Sequence, residues 1–272
     1  MTDGDTTAPL PDWRDLLAAR RFGMARHAYL MQRAAEDPQA TLAGTTGDDL
    51  VRQSLAALAD VEDLVRERSY VKAKTRIERL EDRADIAPWQ ALLADLDALA
   101  ATARHLDTRE AEQALTGLSA LDGSWLQAEV LTQRGTAQIY LGELGTAQET
   151  FARALEVDAQ HYRALTNLGN VALEEARVDD AIDFYERAIK LNDQFANAHH
   201  NLGVAYRRKG HLSKSVRSLR RAQRVAQRNE TAQARESISQ WSGARGSKVV
   251  KWVIYAVIGV VLIWFLRNQG YI

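Results

Sequence analysis

The chain has no cysteine among its 272 residues, which excludes a disulfide framework and any thiolate zinc site, and suits a reducing compartment. It also lacks net charge, at −1, so no partner class follows from the total alone. Catalytic strings are missing: there is no HExxH, GxSxG, GxGxxG or P-loop pattern. Six histidines, His27, His105, His161, His199, His200 and His211, show no metal-ligand spacing. The expectation is therefore a protein with no cofactor and no enzymatic activity. Met1 to Asp12 is polar and acidic, with neither a basic n-region nor an apolar run, so no signal peptide is expected there.

What the chain does have is a 34-residue period, written three times between Ala128 and about Gln227. Glycines stand at Gly135, Gly169 and Gly203, small residues at Ala147, Ala181 and Ser215, bulky residues at Phe151, Tyr185 and Leu219, and small residues again at Ala154, Ala188 and Ala222. Four columns on one spacing over about a hundred residues signal stacked supersecondary units. Each unit predicts two helices. The first carries Leu131, then Leu165 and Leu168, then Leu202, and its glycine lets the second helix approach closely. On the second helix Ala181, Tyr185 and Ala188 form one stripe, widened by Ile182, Ile189 and Leu191. Asp179 and Ser213 are the expected N-caps of second helices, with Gly142 and Gly210 just after the preceding ones.

These columns resemble the tetratricopeptide repeat, with leucine-glycine in its first helix and alanine, aromatic, alanine in its second. The match is Leu168-Gly169, Ala181, Tyr185 and Ala188 in the best copy, and Leu202-Gly203, Tyr206, Ser215, Leu219 and Ala222 in the next. Arg134 departs from the pattern before Gly135, and Ala159, Asp193 and Gln227 stand where a closing proline is usual. The resemblance implies an all-α solenoid of helical hairpins that binds a protein, without naming the partner.

Around this array the chain divides into five parts. Residues 1–47 form a tail and one helix from about Pro11-Asp12 to Ala35, with Leu17, Met24 and Met31 at seven-residue spacing, followed by a Gly/Thr connector. That helix packs on the solenoid or serves as a self-association surface. Residues 48–123 read as degenerate hairpins: helices from about Asp48 to Arg66 and from Pro88 to His105, each followed by one bearing Ala73, Ile77 and Leu80, or Ala111, Leu115 and Leu118. Residues 124–229 hold the three clear units, opened by Ser124 as a cap. Residues 230–247 are a juxtamembrane segment. Residues 248–267 are a transmembrane helix, because Trp252 to Leu266 carries no charge and an 18-residue helix from Val249 is ~27 Å long.

Arg245, Lys248 and Lys251 precede that span and Arg267 alone follows it, so the expected localisation is a single-pass, tail-anchored membrane protein with its repeats in the cytoplasm. The arginine-rich composition points to a bacterial inner membrane. From Arg207 to Arg228 there are nine lysines and arginines and no acid, and Arg217, Arg220, Arg221, Arg224 and Arg228 share one helical face. Beside a span, that face reads as a contact for an anionic lipid surface rather than a solvated face of mixed sign. Nucleic acid is not expected, since interleaved aromatics for base stacking are missing.

The candidate binding residues lie on the first helices. Gln133, Asn167 and Asn201 recur at one position per unit, with Arg163, Asn170, Asn197 and His200 on or near the same face. Amides can pair with both backbone groups of an extended peptide whatever its side chains. The structural alternative is that they cap or brace neighbouring helices. Of the paired histidines, His199 reads as a packed residue and His200 as a groove residue. Some repeat domains dock chaperone tails through a carboxylate clamp; Asn170 and Asn201 match its asparagines, but Thr166 replaces a lysine and the remaining cations are missing. The reading is a tail-anchored scaffold that recruits a protein or extended peptide through its concave face. The alternative is a self-assembling coat or assembly factor, a homo-oligomer in which one copy's N-terminal helix docks into a neighbour's groove.

Overall fold

The computed structural model describes residues 11–36, 46–80 and 82–241, without the side chains of Thr46 and of residues 236–241. Among the described residues there are twelve α-helices and no strand: α1 (Trp13–Ala18), α2 (Phe22–Glu36), α3 (Thr46–Arg66), α4 (Tyr70–Glu78), α5 (Trp89–Asp107), α6 (Ala111–Ser119), α7 (Gln127–Tyr140), α8 (Leu144–Val157), α9 (Tyr162–Glu174), α10 (Val178–Leu191), α11 (Ala196–Arg208) and α12 (Leu212–Trp241). Odd and even neighbours pair as hairpins, and α5, α7, α9 and α11 touch one another in series. The first helices of successive units thus lie side by side, as stacked repeats require.

One turn geometry is used six times. After α1, α3, α5, α7, α9 and α11 a single residue takes positive φ: Arg20, Arg68, Arg109, Gly142, Ala176 and Gly210. The N–H of the following residue then reaches back five positions, from Arg21 to Leu16, Ser69 to Leu64, Glu110 to His105, Glu143 to Gln138, Arg177 to Ala172 and His211 to Tyr206. This is the Schellman stop, which satisfies carbonyls that the helix end leaves open. The turn after α1 corrects the expectation of one helix from Pro11 to Ala35. The αL residue Arg20 breaks it, the buried set becomes Trp13, Leu16, Leu17, Phe22, Ala25 and Tyr29, and Met24 and Met31 of the expected stripe stay 50% and 46% exposed.

The glycine column has a direct steric cause. A Cβ added at Gly135, Gly169 or Gly203 would sit 2.6, 2.5 or 2.7 Å from Phe151, Tyr185 or Leu219, the bulky column of the same unit. The missing side chain is the slot that the partner helix fills. Ser124 is not the cap expected of it, because α7 begins at Gln127 with Leu126 at its N-cap; its hydroxyl closes the preceding turn, accepting from the Leu126 N–H at 3.0 Å and donating to Asp95 at 2.6 Å. Asp179 and Ser213 are not N-caps, because α10 and α12 begin one residue before them, at Val178 and Leu212.

No break occurs after residue 229, since α12 runs on to Trp241. Residues 248–267, read from sequence as a transmembrane helix, lie outside the described residues. Among the described residues no helix is long and apolar enough to cross a membrane. The long ones, α3, α5 and α12, each carry charged residues along their length. The single-pass membrane localisation is corrected on that finding; no lipid contact of Arg217, Arg220, Arg221, Arg224 and Arg228 is shown.

Candidate functional site

The faces of α7, α9 and α11 border a cavity of about 660 Å³, closed on one side by the α3–α4 turn at Glu67, Arg68 and Ser69 and on the other by Asn229, Ala232 and Gln233 of α12. Five of the seven sequence candidates line it: Arg163, Asn167, Asn170, Asn197 and Asn201. Three of the asparagines are joined in a chain. Asn201 donates to the side-chain oxygen Asn170 Oδ1 at 2.8 Å, which also accepts from Tyr185 Oη at 2.8 Å, while Asn170 Nδ2 donates to Asn167 Oδ1 at 3.5 Å and Asn167 Nδ2 donates to Thr136 at 3.1 Å. A primary amide offers two N–H groups and an acceptor, so these bonds fix the rungs while using part of their capacity. Asn197 is exposed beside them, and Asn229 is held by a 3.1 Å bond to the Gln194 carbonyl.

Two candidates fall elsewhere. Gln133, expected as the first rung, is completely buried and turned into the junction between the early hairpins and the regular array. There it donates to Tyr70 Oη (2.8 Å), the Leu99 carbonyl (3.2 Å) and Glu129 (3.1 Å), and accepts from Thr102 at 2.6 Å. With both ends of its amide committed, it is a brace, the structural role that the sequence left open. His200 is exposed but does not border the cavity. His199 is the packed member of the pair, its ring 3.0 Å from the Asp193 carbonyl.

The junction holds a charge cluster that the sequence reading did not single out. Glu129 is fully enclosed and meets Arg163 Nη1 through both oxygens, at 2.9 and 3.1 Å, with His161 at 3.2 Å and the Tyr70 hydroxyl donating to it. Burial alone would raise its pKa, but Arg163 and the bonds from His161 and Tyr70 outweigh that and hold it down at about 2. The same burial and carboxylate drive Tyr70 far above the usual phenol range. A signal existed: Glu129 and Arg163 are 34 residues apart, equivalent positions on adjacent first helices, and Asn197 is the third member of their column. Opposite charges one period apart meet across a repeat junction.

A second cavity, of about 540 Å³, lies where α1–α2 meets α3 and the α8–α9 turn. Its floor is Arg66, which binds Asp158 at 2.7 Å, Asp63 at 2.6 Å and Glu62 at 2.9 Å. Glu62 also accepts from the Gly23 N–H at 3.0 Å, and burial raises its pKa in spite of Arg66. Among the described residues no group of three or more His, Cys, Asp or Glu is arranged to hold a metal.

The basic row lies on the outer face of α12. Arg221 pairs with Asp193 at 3.1 Å, while Arg217, Arg220, Arg224 and Arg228 are exposed and make no ion pair or hydrogen bond among the described residues.

Two tetratricopeptide repeat models match the chain, over residues 132–198 and 184–217. That stretch is tetratricopeptide repeat, and it contains all five cavity-lining candidates. No curated protein matches the chain. Among solved structures, one MamA protein is 18% identical, over 66% of this chain and 94% of that one, with a TM-score of 0.41. A second MamA structure is 18% identical over 80% and 95%, at 0.38. The second TPR of Spaghetti (RPAP3), bound to the HSP90 peptide SRMEEVD, is 20% identical over 36% and 92%, at 0.36.

Proposed function

We propose that the protein is a non-enzymatic scaffold that holds an extended stretch of another polypeptide in the cavity between α7, α9 and α11. One observation carries the reading: a single 660 Å³ space is bordered by Asn167, Asn170, Asn197 and Asn201 together with Arg163. Charge contributes little of the grip, because Arg163 is already neutralised by Glu129 and Arg68 by Asp107 at 2.9 Å. Amides that donate and accept suit the alternating N–H and C=O of an extended backbone, which gives grip with little sequence choice. Selectivity then falls to the aromatic side chains at the margins, Tyr140, Tyr162 and Phe195. Three adjacent first helices at 8–10 Å spacing span roughly 20 Å, the length of about six extended residues.

The test is affinity capture of partner proteins on the full chain and on Asn167→Ala plus Asn201→Ala, with thermal unfolding as a check on the fold. The double variant should keep its melting transition and lose partners that the native chain retains. Unchanged capture would remove the groove from the account.

A further inference from the structure

Within the array, the ridge of α10 that receives the next unit is known from its contacts. Val178 and Ile182 pack into the cluster around Leu202, Ala205 and Tyr206 of α11, and Glu186, four residues on, accepts the Tyr206 hydroxyl at 2.7 Å. Moving one period along, the same ridge on α12 is Leu212, Val216 and Arg220, continued by Arg224 and Arg228 at four-residue steps. No helix of the described chain covers it. Leu212 is 65% and Val216 47% exposed, and the three arginines have no partner among the described residues. The receiving surface is thus repeated once more than the described units that fill it, with a cation where the interior junction has a carboxylate.

We propose that this ridge docks an acidic amphipathic helix of another polypeptide, seated as α11 is seated on α10. Two apolar residues of that helix cover Leu212 and Val216, and carboxylates one and two turns further meet Arg220 and Arg224. The occupant's charge is set by complementarity, since an unbroken row of like charges disfavours a basic helix and favours an acidic one. Nucleic acid is the weaker reading, because the ridge offers no aromatic for a base to stack on. This site is separate from the amide-lined cavity and does not depend on it.

The probe is a synthetic peptide with the α11 sequence, Ala196–Arg208, in which Leu202→Glu and His199→Glu place carboxylates one and two turns before the Ala205–Tyr206 end, toward Arg220 and Arg224, and Arg207→Gln and Arg208→Gln remove the basic end. Binding to the full chain is read by fluorescence anisotropy of the labelled peptide. The acidic peptide should saturate, weaken as salt rises, and lose about tenfold or more in affinity on Arg220→Glu plus Arg224→Glu. Val216→Asp, at an exposed position, should abolish binding without moving the melting transition, and Glu149→Ala on the exposed face of α8 should leave the peptide affinity unchanged. Absence of saturable binding, or equal binding of the unaltered basic peptide, overturns the proposal. So does preferential, salt-sensitive binding to anionic phosphatidylglycerol vesicles or to single-stranded DNA, since the ridge is then a general polyanion surface.

Discussion

The early hairpins α3–α6 and the regular array α7–α12 reach the same architecture by different means. In the early part, one large cluster runs from Trp13 through Leu55, Leu58, Ile77, Leu96 and Leu118 to Val130. In the array the core is divided into small sets, one around Phe151 and Leu168, the next around Tyr185 and Leu202. The division follows from the period: each array interface repeats one glycine slot and one bulky filler, so each can be compact and nearly self-sufficient. The early hairpins have one comparable slot among the described residues, Gly117 against Thr102 at 2.7 Å, and bury most of their leucines in a shared interior. Where the two styles meet, the seam is polar, made by Glu129, Arg163, Tyr70 and Gln133.

The largest break in this comparison comes from the seam. Glu129→Gln leaves Arg163 buried without its counter-charge, and should destabilise the protein by about 3–5 kcal/mol in denaturant unfolding. Its pH signature is also defined. Glu129 has a folded pKa of about 2 against 4.5 unfolded, so its stabilisation is complete above about 4.5 and drains away as pH falls toward 2. Glu129→Gln should flatten that acid limb. Glu62 runs the other way: burial raises its folded pKa, so its contribution is greatest in acid and is lost as pH rises through that raised value. Glu62→Gln should therefore leave the limb below pH 4.5 intact and reduce the decline above it. A flat profile in the native chain would show that neither carboxylate is tuned as the geometry implies.

Next in size are the slots. Gly169→Ala drives a methyl to within 2.5 Å of the Tyr185 ring, and overpacking of this kind costs about 1–3 kcal/mol. Gly169→Ala should cost less in a Tyr185→Ala background than in the native chain, because the clash is with the ring. The smallest effect is at the turns. Ala176 holds αL geometry at φ 61 where Gly142 and Gly210 occupy the equivalent sites, so Ala176→Gly should raise stability by about 0.5–1 kcal/mol. A loss on that change would show the Schellman turns to be unstrained.

Most helices were legible because the apolar period and the glycine column act locally, through packing that each unit repeats. The expected helix from Asp48 to Arg66 is α3, and Gly142 and Gly210 do end α7 and α11. The break at Arg20 was hidden, because an arginine in αL leaves no compositional trace of the kind a glycine leaves. In the cavity, Asn167 and Asn201 were readable from spacing alone. Gln133 shares their column and yet turns inward, since its neighbour on the preceding side is the irregular α5 and not a repeat helix, so Leu99 and Thr102 offer it a buried partner set. Periodicity identifies a column, but what lies against each rung decides whether that rung faces the cavity or the interior.

The central claim, that the hollow between α7, α9 and α11 holds another polypeptide, is tested most directly by site-specific photocrosslinking in cells. A benzophenone amino acid at exposed Asn197, inside the hollow, should give discrete polypeptide adducts, while the same group at Glu149 on the exposed face of α8 should give none. Adducts of equal yield from both positions, or none from Asn197, would contradict the account.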